Sequence, residues 1–260
     1  MTKTIAITNQ KGGVGKTTTC VNLACALALR NHRVLLIDLD PQGNATMGSG
    51  IDKNTLTATI NDLLLGDGDT EILSMIQATK GGYDLLPANR DLTSAEISLL
   101  QMSGGDQCLL KALSSVKNRY DYILIDCPPS LNMLTVNALV AAGSVLIPMQ
   151  CEYYALEGLT GLLETIEKLK SVNPKLTIEG LLRTMYDSRN LLSQEVSDQL
   201  KAHFKEKVYR TVVPRNVRLA EAPSHGLPGV LYDKDSTGAL AYMALAKEMT
   251  ARQKVSETTA

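Results

Sequence analysis

The sequence lacks both a strong net charge and any long apolar run. Lysine and arginine number 26 against 27 aspartates and glutamates, so no overall field draws the chain to nucleic acid or anionic lipid. Any such partner needs a local patch. No segment approaches the roughly 18 to 20 apolar residues of a membrane span. The first apolar run, residues 5–7, is too short for a signal peptide. We therefore expect a cytoplasmic protein that does not act at a membrane.

The sequence also lacks a cysteine pattern that would indicate disulfide bonds or a zinc site. The five cysteines are odd in number and show neither zinc-ligand spacing nor a secreted disulfide framework. We interpret them as buried thiols that act as small apolar residues. The three histidines are scattered along the chain rather than clustered.

The chain has the length and composition of one globular domain. It contains 260 residues, of which 44% are hydrophobic, enough to bury a single core. We find no internal repeat and no low-complexity linker. The domain is predicted over residues 1–252, and the polar segment 253–260 ("QKVSETTA") is predicted to be a disordered tail.

Short β-rich runs alternate with longer helical patterns. The predicted strands are 4–8, 34–38, 83–86, 122–126, 145–149, 178–185 and 208–213. The predicted helices are 16–30, 91–101, 106–118, 131–142, 156–171, 191–205 and 236–252. Several strands are continuously apolar, as in a parallel sheet covered on both faces. The pattern predicts a single-domain, doubly wound α/β fold with a mostly parallel sheet and helices on both faces.

A glycine-rich loop, "KGGVGKTT", lies between the first strand and the first helix. That context is typical of a phosphate-binding loop of P-loop NTPases. Gly12, Gly13 and Gly15, with Val14 between them, let backbone amides converge on phosphate oxygens at a helix N-terminus. Lys16 is predicted to reach the β- and γ-phosphates of ATP. We assign Thr17 to Mg²⁺ and Thr18 to the α-phosphate region.

Carboxylates end two of the predicted strands. Asp38 and Asp40 stand in "LLIDLDPQGN", and Asp126 stands in "YILIDCPPS". The carboxyl ends of parallel strands share one sheet edge, where the phosphate loop also lies. We therefore predict that Asp38 and Asp126 serve Mg²⁺ through water. Asp40 is predicted to orient the water that attacks the γ-phosphate.

The loop also carries a second lysine, Lys11, ahead of its glycines. In one subunit it would compete with Lys16 for the same phosphates. Reaching into a second subunit, it would cancel the charge of two apposed ATP molecules. The extra lysine therefore favours an ATP-dependent homodimer.

Five motifs in order resemble the ParA (Soj) chromosome-partitioning ATPases of the deviant Walker A class. They are "KGGVGKTTT", "LLIDLDPQGN", "YILIDCPPS", "MYDSRN" and "VPRNVRLAEAPSHG", and the resemblance covers the chain from Lys3 to about Met249. It implies that Lys11 is the signature lysine acting across a nucleotide-sandwich dimer. It further implies that Met185, Pro214, Arg215 and Asn216 hold the adenine. Arg183 stands where many relatives carry an aliphatic residue.

The same resemblance implies a DNA partner. Between residues 183 and 218 the basic residues outnumber the acidic ones, and Arg189 and Arg218 match arginines implicated in sequence-independent binding of double-stranded DNA. Such binding is expected to be salt-dependent. Only two residues precede Lys3, so no helix-turn-helix is expected there. The family also implies a nucleoid location, a ParB/Spo0J-type centromere-binding partner that stimulates hydrolysis, and slow turnover without it.

Three alternatives compete with this interpretation. A MinD-like membrane-cycling ATPase shares the two-lysine loop but needs a terminal amphipathic helix. An iron–sulfur ATPase needs two cluster cysteines per subunit, and only Cys127 is near a nucleotide-sensing segment. A metabolic ATP-dependent ligase needs a substrate pocket with its own catalytic groups.

Overall fold

A central sheet organises the chain. The computed structural model describes residues 2–66 and 72–258, with side chains described as far as 253. In this part the strands are β1 Lys3–Ile7, β2 Val34–Asp38, β3 Gln77–Ala78, β4 Asp84–Leu86, β5 Tyr122–Asp126, β6 Ser144–Met149, β7 Thr177–Tyr186 and β8 Val208–Pro214. Their order across the sheet is β3-β4-β2-β5-β1-β6-β7-β8. Every pairing is parallel except that of β3 with β4.

The seven predicted strands are confirmed, with bounds that differ by no more than one residue at most ends. The structure adds β3, which the sequence did not reveal. Both of its residues are exposed, so no alternation of apolar and polar side chains marks it. It is the strand at one edge of the sheet and pairs with β4 in the antiparallel direction.

Helices cover both faces of the sheet. They are α1 Lys16–Ala28, α2 Asn44–Gly48, α3 Ile60–Leu65, α4 Ile72–Met75, α5 Leu92–Gln101, α6 Cys108–Leu113, α7 Met133–Ala141, α8 Ala155–Leu169, α9 Leu191–Phe204, α10 Val217–Glu221, α11 Gly229–Tyr232 and α12 Thr237–Thr258. Among the described residues, none of these helices is both long and apolar enough to cross a bilayer.

Two apolar clusters hold these layers together. One joins a face of the sheet to α3 through α9, and the other joins the opposite face to α1 and α12. The doubly wound α/β fold is therefore confirmed. Cys20, Cys25, Cys127 and Cys151 are buried as free thiols, as expected for small apolar residues.

The structure corrects two predicted helices. The segment 106–118 forms only the short helix α6 flanked by 3₁₀ turns, because Gly104 and Gly105 precede it and the chain turns again at 117–119. The last helix, α12, continues to Thr258 instead of ending at Arg252. Much of the expected tail 253–260 is therefore helical, and residues 259–260 lie outside the described part.

Candidate functional site

The phosphate loop connects β1 to α1 at the carboxyl edge of the sheet. Gly13 and Gly15 have φ angles of 73° and 84°, in the left-handed region that side chains disfavour. Gly15 also caps α1. At Gly12 and Gly13 an added Cβ would meet no atom within 4 Å, so this side of the loop is open for a ligand to approach.

Side chains outside the motif fix the loop from beneath. Asn9 accepts a hydrogen bond from Lys11 N (3.0 Å) and donates one to Pro148 O (2.9 Å). Thr184, near the end of β7, donates its hydroxyl to Val14 O at 2.7 Å. Val14 and Thr184 are both buried. The loop is thus held in shape by strands β6 and β7 as well as by its glycines.

Lys16 is buried within the loop. Its Nζ donates to Lys11 O at 3.2 Å. Burial lowers the pKa of Lys16, while the nearby Asp126, Cys127 and Asp40 oppose that shift. The ammonium group is therefore poorly solvated and is suited to pair with phosphate oxygens.

Lys11 has the opposite environment. Its side chain is 46% exposed and forms an ion pair with Glu152, just after β6, at 2.5 Å between Nζ and Oε2. The loop therefore places one lysine inside the site and the other on the surface.

The strand-end carboxylates lie side by side. Asp38 and Asp126 are paired in register between β2 and β5, and both are fully buried. Asp38 Oδ2 accepts hydrogen bonds from Thr46 N (2.8 Å) and Thr46 Oγ1 (2.7 Å). Asp126 Oδ1 accepts one from the Cys20 thiol at 3.2 Å. The predicted convergence of the two strands is confirmed.

Burial raises the pKa of both carboxyls. The pKa of Asp126 rises to about 8, because of its burial and then because of the neighbouring Asp38. The pKa of Asp38 rises to about 6 by burial, against the hydrogen bonds from Thr46 and Asp40 N. Without a cation, these two groups resist being ionised together.

Asp40 lies beyond the end of β2 and is nearly buried. Its Oδ1 accepts a hydrogen bond from Gln42 N at 2.9 Å, while its own N–H donates to Asp38 Oδ1 at 3.3 Å. Asp40 also influences Lys16 electrostatically. Asp40 therefore lies near Lys16, in the turn that directly follows Asp38 at the end of β2.

Comparison with known proteins gives this site its context. Residues 2–178 match the family model described as "AAA domain". The chain is 54% identical to the sporulation initiation inhibitor protein Soj of Bacillus subtilis, over 96% of this chain and 99% of that protein. The chain belongs to the ParA/Soj family of chromosome-partitioning ATPases.

Two solved structures bear on this ParA/Soj chain. Cobyrinic acid a,c-diamide synthase from Mycobacterium smegmatis, with bound ADP and magnesium, is 38% identical with a TM-score of 0.85, covering 98% of this chain and 96% of that one. The septum site-determining protein MinD of Pyrococcus horikoshii, complexed with Mg-ADP, is 26% identical with a TM-score of 0.77, covering 95% and 96%. This ParA/Soj chain is an Mg²⁺-dependent ATPase.

The residues predicted for Mg²⁺ fit that ion. Asp126 Oδ2 is buried and has no hydrogen-bond partner among the described residues. Thr17, in the first turn of α1, is close enough to the Asp126 carboxylate to lower its pKa. A hydroxyl and a carboxylate oxygen without a partner are hard donors of the kind that Mg²⁺ takes. Asp38 is already bonded to Thr46, so a role for it in the hydration shell suits its geometry better than direct ligation.

The residues predicted to hold the adenine lie at or just after the carboxyl ends of β7 and β8 in this ParA/Soj chain. Tyr186, which follows Met185, pairs with Pro214 at the ends of β7 and β8. Met185 has a φ of 48° and accepts a contact from Gln150 Nε2 at its sulfur. Asn216 uses its side chain to cap α10, accepting from Leu219 N and donating to Thr237 Oγ1, and Arg215 is exposed.

The basic segment does not form one patch. Arg189, after β7, and Arg218, in α10, lie towards the carboxyl edge of the sheet. Arg189 is 88% exposed and pairs with Asp187, and Arg218 pairs with Glu221 and Asp233. The lysines at the end of α9 and the start of β8 lie at the opposite edge. Arg183 is only 5% exposed, so its charge does not contribute to a DNA-facing surface.

The sequence motifs missed four residues that shape the site. These are Asn9, Thr46, Glu152 and Thr184. Asn9 and Thr46 lie within a few residues of the motifs, so a local turn could have indicated them. Glu152 and Thr184 reach the loop only through sheet packing, which leaves no spacing signal in the sequence.

Proposed function

We propose that the chain is an ATP-dependent dimerisation switch that binds double-stranded DNA without sequence preference and drives segregation of a chromosome or plasmid. The observation that carries this proposal is the separation of the two loop lysines. Lys16 is buried beside the strand-end carboxylates, whereas the side chain of Lys11 is 46% exposed and pairs with Glu152. One lysine serves its own nucleotide, and the other is free to serve a neighbour's.

In this proposal the loop residues 12–18 bind the triphosphate. The backbone of Gly12, Gly13, Val14 and Gly15 surrounds the phosphates, Lys16 neutralises the β- and γ-phosphates, and Thr18 lies near the α-phosphate. The ends of β7 and β8, with Met185, Pro214, Arg215 and Asn216, contact the adenine. When Mg²⁺ is bound, it neutralises phosphate charge; Thr17 would hold it directly, and Asp126 and Asp38 would act through water in its hydration shell.

Asp40 is the residue proposed to position the attacking water. It is the carboxylate of the site that ends no strand, and its Oδ1 accepts a hydrogen bond from Gln42 N in the turn that follows β2. A carboxylate held in this way can orient a water molecule in line with the γ-phosphate. No arginine lies within the loop itself, so we expect slow turnover unless a partner improves the geometry.

Dimerisation depends on Lys11 reaching the phosphates of a second subunit. For this its Nζ must leave Glu152, which costs little because exposed ion pairs contribute roughly 0 to 1 kcal/mol. The charge of two facing ATP molecules supplies the attraction. ATP thus controls assembly, and hydrolysis reverses it.

DNA binding is proposed to rest on Arg189 and Arg218. Their ion pairs with Asp187 and with Glu221 and Asp233 are exposed, so DNA phosphates can compete for both guanidinium groups. A dimer presents each arginine twice, which raises avidity without new contacts. A ParB/Spo0J-type protein is the proposed partner that stimulates hydrolysis, and the DNA-bound dimers are proposed to associate with the nucleoid.

The test is co-sedimentation with a non-specific duplex, in ATP and in ADP, at two salt concentrations. We expect binding that requires ATP, weakens with salt and is lost in Lys11→Ala. Lys170→Ala is the matched control, because Lys170 also pairs with a glutamate, Glu167, on an exposed surface. Binding that persists in Lys11→Ala or does not need ATP would refute the switch.

A second pair of variants tests the DNA surface. Arg189→Glu and Arg218→Glu should each abolish DNA binding while ATP-dependent dimers remain. Arg33→Glu is the control, since Arg33 also forms an exposed ion pair, with Asp121, but at the opposite edge of the sheet. Unchanged DNA affinity in both variants would remove these arginines from the interface.

Two specific similarities favour other functions. The name of the M. smegmatis neighbour denotes a synthase that forms amides, and the P. horikoshii neighbour is a MinD protein. The higher identity to Soj supports segregation over both. A product other than ADP and phosphate would favour the synthase function, and ATP-dependent binding to lipid vesicles would favour the MinD-like one.

A further inference from the structure

A cleft of about 1230 Å³ opens at the amino edge of the sheet, opposite the phosphate loop. Its walls are the first residues of β1, β6, β7 and β8, the end of α9 and the end of α12. Seven cationic and three acidic side chains line it, although the whole chain has a formal net charge of −1. The proposed switch makes no use of this cleft.

Two of the three acidic side chains of the cleft already have cationic partners, and the third, Glu206, lies between Lys205 and Lys207 in the chain. Glu179 pairs with Lys3 at 2.7 Å. Glu248 pairs with Arg252 at 2.7 Å and also accepts hydrogen bonds from the backbone of β8. These contacts neutralise two of the cations and leave the positive charge of the others in excess.

Four lining cations have no carboxylate partner among the described residues. They are Arg183, Lys205, Lys207 and Arg210. The Nζ of Lys207 donates a hydrogen bond to the backbone carbonyl of Ile178, near the start of β7, at 2.9 Å. Lys205 adopts a φ of 44°, a conformation that a lysine rarely takes. The backbone is thus bent where these charges gather.

Arg183 is the most buried of these cations, with 5% of its surface exposed. It lies at an irregularity of the sheet, where Leu181 pairs with Val208 but Arg183 pairs with Val212. Its guanidinium donates to the carbonyls of Tyr209 and Arg210 and to Ser197 Oγ. These groups are neutral, and Arg183 Nε has no hydrogen-bond partner in the described structure.

A buried guanidinium without a counter-charge is costly, and a bound anion removes that cost. Arginine and lysine donors together suit phosphate oxygens, which accept charge-assisted hydrogen bonds. The cleft volume lies somewhat above the roughly 300 to 1,000 Å³ that is typical of small-molecule sites, so there is room for a ligand larger than a single ion. We propose that this cleft, defined by Arg183, Lys205, Lys207 and Arg210, binds a small phosphorylated metabolite at a site separate from the ATP site.

The test uses inorganic pyrophosphate as the probe and isothermal titration calorimetry in magnesium-free buffer. The substitution Lys16→Ala weakens pyrophosphate binding at the phosphate loop. The pyrophosphate binding that remains should then come from the cleft. We expect one site per subunit in that background. Adding Lys207→Ala and Arg210→Ala should weaken it at least about tenfold, as expected when two charged donors are removed. Lys168→Ala with Lys175→Ala is the matched control for lost surface charge.

Arg183→Met provides an independent test, with the thermal midpoint measured to confirm folding. A folded Arg183→Met protein that has lost pyrophosphate binding supports the site. Absence of binding in Lys16→Ala, or binding unchanged by Lys207→Ala with Arg210→Ala, overturns it. Loss of ATP-dependent DNA affinity when Lys207→Ala and Arg210→Ala are made with Lys16 intact, without any pyrophosphate binding by the Lys16→Ala protein, would overturn it in favour of a nucleic-acid surface.

Discussion

Lys11 Nζ lies 2.5 Å from Glu152 Oε2, so the exposed lysine of the phosphate loop is held by its own chain. Glu152 follows β6, the strand whose Pro148 carbonyl accepts a hydrogen bond from Asn9. β6 and the residues just after it therefore hold the side chains of both Asn9 and Lys11, in the segment before the glycines. In the proposed dimer this ion pair competes with the phosphates of the second subunit.

Glu152→Gln should lower the ATP concentration needed for dimerisation. Removing the carboxylate charge frees Lys11, and the shift should be no more than about fivefold, because an exposed ion pair contributes about 1 kcal/mol or less. Analytical ultracentrifugation across an ATP titration measures it. Glu167→Gln, which breaks the exposed pair with Lys170, should leave the midpoint unchanged. A higher ATP requirement in Glu152→Gln would mean that the glutamate assists the dimer instead.

Asp40→Ala should bind ATP with nearly unchanged affinity yet hydrolyse it about 10²- to 10⁴-fold more slowly, the range for loss of a positioned acid–base group. Phosphate release and nucleotide binding are measured separately. Asp52→Ala is the control, because Asp52 also accepts a hydrogen bond from the N–H two residues later. Normal turnover by Asp40→Ala would exclude it from the mechanism.

Asp126→Asn should stabilise the nucleotide-free protein at alkaline pH. The pKa of Asp126 is about 8 in the fold, above its ordinary value, so the folded state retains a proton that the unfolded state releases. Stability from this proton is complete below about pH 4 and is lost as pH rises through 8. Asparagine avoids that loss, so its thermal midpoint should exceed the wild type's most at pH 9, less at pH 6, and approach it near pH 4.

Asp121→Asn should change the pH dependence of stability in the opposite direction. The ion pair and hydrogen bonds with Arg33 hold the pKa of Asp121 below its usual range, so ionisation of this group stabilises the fold above about pH 4. Its replacement should lower the midpoint at neutral pH. Identical pH profiles for the two variants would show that the buried Asp38–Asp126 pair is not under strain.

Thr184→Val should weaken ATP binding by about fivefold, because one buried hydrogen bond to Val14 O is lost and roughly 1 kcal/mol of loop support with it. Equilibrium titration with a fluorescent ATP analogue measures the change. Thr165→Val removes a similar hydroxyl-to-carbonyl bond within α8 and serves as the control. Equal affinities in both variants would show that the glycines alone hold the loop.

The sequence was sufficient for the fold because apolar strands such as 34–38 and 122–126 are buried on both faces. It also predicted that Asp38 and Asp126 meet, since strand ends in a parallel sheet share an edge. Strand β3 and the end of α12 were not predicted correctly. Short exposed strands and polar helix ends carry little apolar periodicity.

Contacts between residues far apart in the chain also could not be predicted from the sequence. Nothing in the spacing of Lys11 and Glu152, or of Thr184 and Val14, indicates that they touch. The charge count over residues 183–218 suggested one basic surface. The path of the chain through β7, α9 and β8 distributes those charges between two edges and buries Arg183.

The hydrogen bond from Lys16 Nζ to Lys11 O links the side chain of one loop lysine to the backbone of the other. In the proposed site, a γ-phosphate that drew the Lys16 ammonium towards it would break this hydrogen bond and leave the backbone carbonyl of Lys11 without it. If Lys11 acts on a second subunit, each subunit can then offer its lysine freely only after its own nucleotide has arrived. Dimers would then form only when both subunits have bound nucleotide.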